Sequence, residues 1–217
     1  MKKAVIFDMD GVLIDSQPLH YQLDIRVLKS CGYNATLDTV TPYTGLGNPD
    51  RWPKYKKDLN LAESTEQLIA MAEQAMRDIF NETTLVASDG IPSLLQALKD
   101  NGMHIGVASS SSHELIELVL MRTGISHFFD KITSGEDVTH GKPAPDIYLT
   151  ATQKAGLQPH ECFAIEDAPA GILSAKNAGL TCIAYKNPNT ANQVFDNASY
   201  IVSHFDECMN IIGGSAQ

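Results

Sequence analysis

Short apolar runs rich in β-branched residues recur along the chain, at Ala4–Phe7, 105–108, 162–165 and 181–184. None of them alternates apolar with polar, so each reads as a strand covered on both faces, the mark of a parallel sheet. Between the runs lie segments with helical spacing of apolar residues: 91–100, ending at Asn101-Gly102; 111–123, ending at Gly124; and 169–178, ending at Gly179. Glycine just past the last periodic residue is a common helix stop. Strand and helix therefore alternate, and the expected fold class is α/β, a doubly wound parallel (Rossmann-like) sheet. Ser111 with Glu114 forms a capping-box pattern, which predicts a helix start directly after the strand 105–108.

After Asp15 the alternation stops. Residues 17–31 read as helix, 42–53 as a loop carrying three prolines and two glycines, and 65–80 as helix again. The expected organisation is an α/β core from 1–15 and 86–217, with a small inserted helical cap over 16–85. A chain of 217 residues, 43% hydrophobic and 19% charged, is long enough for one core plus a smaller attached unit. Its formal net charge of −10 repels nucleic acid backbones and anionic membranes, which argues against both as partners. The apolar run before Asp8 is too short for a signal peptide and no stretch is long enough to span a bilayer. Cys31, Cys162, Cys182 and Cys208 are scattered without a C-x-x-C pair, as reduced thiols would be. A cytoplasmic protein is expected.

Polar residues gather where four of these strands should end, the place where open parallel sheets bind ligands. Asp8-Met9-Asp10-Gly11 follows the first strand, and its glycine permits the tight turn that two close carboxylates require. One carboxylate could attack phosphorus to form an acyl phosphate. The other could protonate the departing oxygen and later deprotonate water. Ser109-Ser110 leads into the predicted helix start, where a hydroxyl and backbone N–H groups suit phosphate oxygens. In Gly141-Lys142-Pro143-Ala144-Pro145-Asp146, two prolines stiffen the turn that carries one cation. Glu166-Asp167 would repel each other unless a hard divalent cation sat between them, and magnesium typically takes one or two carboxylates with waters and phosphate oxygens. Taken singly, each has a bland alternative: turn aspartates, a serine-rich N-cap loop, a solvated lysine, a helix N-cap acid.

Together, Val5-Ile6-Phe7-Asp8-Met9-Asp10-Gly11-Val12-Leu13, Val107-Ala108-Ser109, the Gly141–Asp146 stretch and Ile165-Glu166-Asp167-Ala168-Pro169-Ala170-Gly171 resemble the haloacid dehalogenase-like hydrolase superfamily, in the order that family uses. The resemblance is to members with a helical cap after the first strand, and it is looser over the cap. It implies that Asp8 is the nucleophile and a magnesium ligand, that Asp10 is the acid/base and offers its backbone carbonyl to the metal, and that Asp167 and Glu166 complete the Mg2+ site. Ser109, the Ser110 backbone and Lys142 would hold the phosphoryl group. His20 falls where capped relatives place a histidine near the acid/base aspartate, although a polar-face helix residue is an equal reading.

Asp10 argues against dehalogenation, which has no alkoxide to protonate. The expected function is a phosphatase acting on a small phosphorylated metabolite, as a monomer; the alternative is a mutase of the beta-phosphoglucomutase type. Mutase relatives carry a Lys-Asn pair where this chain has Ser112-His113, and a cap arginine near 45–48 where the nearest here is Arg51. A non-catalytic phospho-metabolite sensor is a third reading, against which both intact aspartates count.

Overall fold

The computed structural model describes residues 2–44, 46–190 and 193–214. In chain order the main elements are β1 (Ala4–Phe7), α1 (Gln17–Ser30), α2 (Leu37–Val40), α3 (Asn48–Leu59), α4 (Thr65–Glu82), α5 (Ile91–Asp100), β2 (His104–Ser109), α6 (His113–Arg122), β3 (Lys131–Ser134), α7 (Asp146–Lys154), β4 (Cys162–Glu166), α8 (Pro169–Ala178), β5 (Thr181–Tyr185), β6 (Tyr200–Val202) and α9 (Glu207–Gly214). They divide between two compact units. One holds Met1–Asp15, Leu85–Pro188 and Asn192–Gln217; the other holds Ser16–Thr84 and Asn189–Ala191.

The first unit is an α/β layer structure around one sheet in the order β3-β2-β1-β4-β5-β6, parallel throughout. The chain winds outward from β1 to β3, then crosses back to β4 and winds the other way. Neighbouring strands β1 and β4 therefore flank the point where the winding reverses, the place where such sheets open a crevice. Phe7 sits beside both Val107 and Ile165, which brings the residues just past β1, β2 and β4 to the same edge. Every residue of β1 and β4 is buried, as their unbroken apolar runs require. Strands β3 and β6 have no counterpart in the sequence reading. Both are short and lie at the outer sides of the sheet: β3 (Lys-Ile-Thr-Ser) has one apolar residue among polar ones, and β6 is a run of only three residues.

The second unit corrects one expectation. Residues 42–53 are not a loop throughout: α3 begins at Asn48 and contains both Pro49 and Pro53. Pro49 falls in the first turn, where its missing N–H costs nothing, while Pro53 gives up one helical hydrogen bond. Burial outweighs that loss. Trp52 and Tyr55 are fully buried, and Tyr55 packs on Tyr43 with ring centroids 4.0 Å apart. The Tyr55 hydroxyl donates to Asp24 Oδ2 at 2.9 Å, and Arg51 Nε lies 3.5 Å from Asp24 Oδ1. All four cysteines are free thiols, and no helix among the described residues is long and apolar enough to cross a membrane.

Candidate active site

Asp8 follows β1 directly, and its N–H donates to the Ile165 carbonyl at 2.9 Å, which locks the first strand end onto the fourth. From there the chain turns through Gly11 at φ +77°, a conformation that costs side-chain-bearing residues energy. A Cβ at Gly11 would also overlap the Asp167 carboxylate, and one at Gly171 would overlap that of Glu166. Crowding thus requires both glycines, and turn geometry requires Gly11 as well. Replacing Gly11 by alanine is expected to lower stability by about 1–3 kcal/mol through backbone strain and to displace Asp167. Thermal unfolding and phosphate release would both fall; an unchanged rate would show that the Asp167 position is not critical.

Lys142 reaches the same spot from the turn before α7. Its Nζ lies 2.6 Å from Asp8 Oδ1 and 2.6 Å from Glu166 Oε1, and donates to the Ala108 carbonyl at 3.1 Å. Its side chain is 10% exposed, so these bonds form with little competition from water. The Lys142–Pro143 peptide is cis. Tyr148, fully buried on α7, donates its hydroxyl to Glu166 Oε1 at 2.7 Å. Tyr148 is a site neighbour that the sequence reading missed, since its spacing on α7 marks it only as a core residue.

Asp8, Glu166 and Asp167 offer carboxylate oxygens within 4.8 Å of one another, an acidic group able to hold a metal ion. Asp8, Asp10, Glu166 and Asp167 together outweigh the single ammonium. Burial, and next the Glu166 charge, push the Asp8 carboxyl up from its ordinary range despite Lys142. Burial, and next Asp8, push Asp167 up as well. Burial would pull the Lys142 ammonium down, but Asp8 and Glu166 outweigh it and hold it charged. Glu166 Oε2 is buried without a hydrogen-bond partner, although Oε1 has two. A buried carboxylate oxygen left so is costly unless a cation meets it, and this donor set of hard oxygens fits magnesium.

The serine loop differs in detail from the expectation. The helix starts at His113 and not at 111, with Ser112 as its N-cap: the Ser112 hydroxyl accepts from the Leu115 N–H. The Ser111 carbonyl is held by Ser134 Oγ at 2.7 Å and the Gly135 N–H at 3.3 Å, which delays the turn into helix. Freed from capping, the Ser111 hydroxyl points to Asp10 Oδ2 at 3.4 Å. Ser109 is fully buried at the end of β2, where its Oγ accepts from the Ser111 N–H, and Ser110 is exposed. His20 lies on α1, in the other compact unit, and so is not among the residues that the sheet itself gathers.

Residues 5–185 match the model of a family described as haloacid dehalogenase-like hydrolase. The chain belongs to that family. Hexitol phosphatase B of Escherichia coli K12 is 31% identical over 195 residues, which cover 87% of this chain and 86% of that protein. The beta-phosphoglucomutase of Clostridium difficile is 25% identical with a TM-score of 0.81, covering 99% of this chain and 96% of its own. CbbY of Rhodobacter sphaeroides, at 24% identity, shares the fold with a TM-score of 0.83 over 95% of this chain and 96% of the other. Membership of the haloacid dehalogenase-like family agrees with the parallel six-stranded sheet and with acids grouped at its switch point.

Proposed function

We propose that the chain is a magnesium-dependent phosphatase that hydrolyses a small phosphomonoester, a sugar phosphate or similar metabolite, through an aspartyl-phosphate on Asp8. The carrying observation is the Lys142 ammonium 2.6 Å from both Asp8 Oδ1 and Glu166 Oε1, beside a cluster of acids that one cation cannot neutralise. The similarity to hexitol phosphatase B supports the substrate class. Asp8, Glu166, Asp167 and the Asp10 carbonyl would hold Mg2+, which supplies positive charge to phosphoryl oxygens and keeps Asp8 ionised.

In this reading an Asp8 oxygen attacks phosphorus and the bond from phosphorus to the ester oxygen breaks, while Asp10 gives its proton to the departing alkoxide. Water then attacks the acyl phosphate. Asp10 takes the water proton, the bond from phosphorus to Asp8 breaks, and inorganic phosphate leaves with Asp8 restored. Lys142 stabilises charge on the transferring oxygens, and Ser109 and the Ser110 backbone cradle them. Ser111, through its contact with Asp10 Oδ2, orients the acid/base carboxyl.

Mutase chemistry is the second reading, because the Clostridium difficile enzyme is similar over nearly the whole chain. A mutase needs further fixed donors for a second phosphate. At the positions where mutase relatives supply them, this chain's side chains are engaged elsewhere: Ser112 caps α6, His113 Nε2 pairs with Asp137 at 3.0 Å, and Arg51 Nη2 donates to Asn48 Oδ1 at 2.7 Å. These pairings favour hydrolysis. The deciding experiment is phosphate release from a panel of phosphomonoesters with Mg2+, beside a coupled assay for conversion of beta-glucose 1-phosphate to glucose 6-phosphate. Release without isomerisation is the expected result. Isomerisation primed by a bisphosphate would establish the mutase, and neither reaction would leave a sensor.

A further inference from the structure

Gly11 presents a mechanical problem. It must be glycine, because φ is +77° and a Cβ would overlap the Asp167 carboxylate. Glycine is also the residue with the greatest backbone freedom, and here it adjoins Asp10, whose carboxyl has to meet a leaving oxygen within hydrogen-bond reach. Within the turn, Gly11 N–H donates to the Ile14 carbonyl at 2.9 Å, and Leu13 and Ile14 N–H donate to the Met9 carbonyl. The Val12 N–H, on the same peptide plane as the Gly11 carbonyl, reaches the Met9 carbonyl only at 3.4 Å, so the turn's own bonds hold that plane weakly.

From the opposite side of the switch point, Asn187 Nδ2 donates to the Gly11 carbonyl at 3.0 Å, across 176 positions of sequence. Asn187 is 3% exposed. Its own backbone is fixed at the end of β5, where its N–H donates to the Tyr185 carbonyl at 3.1 Å and the adjacent Lys186 N–H donates to the Val202 carbonyl at 2.8 Å. A short, two-torsion side chain on an anchored strand end is a stiff arm. Further along, Gln193 Nε2 donates to the Asp167 carbonyl at 3.0 Å, so the chain after β5 touches both acid-bearing turns.

We infer that Asn187 is a positioning residue for the acid/base step: by holding the Gly11 carbonyl it sets the aim of the Asp10 carboxyl. The inference rests on the phosphatase reading, in which Asp10 protonates the leaving alkoxide. It separates from a general structural role through leaving-group chemistry. An alkyl phosphate needs that proton, whereas p-nitrophenolate departs without it.

The test compares the wild type with Asn187→Ala and Asn187→Asp, the second keeping the shape but replacing the donor with an acceptor. The ratio kcat/KM, which reports ester cleavage, is expected to fall about 10²-fold on glycerol phosphate in both variants. On p-nitrophenyl phosphate it should fall less than about 5-fold, with the Mg2+ titration midpoint unmoved, since the proton contributes little there. Hydrogen exchange of the Gly11, Leu13 and Ile14 amides should speed up in both variants, a readout that needs no turnover. An equal fall on both esters, no fall at all, or loss of the fold in both variants would overturn the assignment. A wild type inactive on every ester would sink the phosphatase reading instead, and exchange rates would still decide whether Asn187 clamps the turn.

Discussion

Replacing Asp8 by asparagine is expected to reduce phosphate release by at least about 10⁴-fold while leaving the fold intact, because the change removes the attacking oxygen and its charge but nothing of its shape. Asp8 is 7% exposed and hydrogen-bonds through its backbone to Ile165, a contact that the variant retains. Lys142 loses one carboxylate but keeps Glu166 at 2.6 Å and the Ala108 carbonyl at 3.1 Å. One buried like-charge repulsion also disappears, so the melting temperature should hold or rise. The measurement is steady-state phosphate release beside circular dichroism, with intact mass confirming that the amide has not hydrolysed back to aspartate. Turnover retained in that folded variant would rule out Asp8 as nucleophile.

Lys142→Ala should damage both stability and activity. Its ammonium touches Asp8 and Glu166 at once, and removing it leaves two buried carboxylates facing each other without a counter-charge. Breaking a buried pair in this way costs about 3–5 kcal/mol, far more than losing a surface ion pair. The expected signature is a lower urea midpoint without Mg2+ and a partial recovery with it, since a bound cation would replace some of the missing charge. Activity should fall by about 10³-fold even with Mg2+ saturating, because the transferring oxygens lose a fixed positive partner. Arginine should not rescue it: a planar guanidinium is too broad for a site built around one point charge. Stability unchanged in the absence of metal would mean that the acids are compensated in some other way.

Ser111 shows where local rules stop. Ser111 with Glu114 has the pattern of a capping box, yet the cap is Ser112, one residue on, because Ser134 and Gly135 hold the Ser111 carbonyl. Capping patterns weigh a residue against its near neighbours, and here partners more than twenty positions away outweighed them. Residues 42–53 mark the same limit. Three prolines and two glycines read as loop, but the buried Trp52 and Tyr55 make a helix of the segment from Asn48 onward.

The sequence by itself determined the four inner strands of the sheet and their ends. Unbroken apolar runs are a local signal for strands buried on both faces, and alternation with helices forces those strands to run parallel. Asp8, Ser109 and Glu166 were legible as strand-end residues for that reason. Lys142 was placed at the site by the resemblance, and the structure gives its contact with Asp8 across 134 positions. The tertiary structure alone decided that Tyr148 turns a core-facing hydroxyl to Glu166 and that Asn187 crosses 176 positions to Gly11. Such contacts depend on how strands are ordered across the sheet, and no periodicity within a segment records which segment will lie beside it.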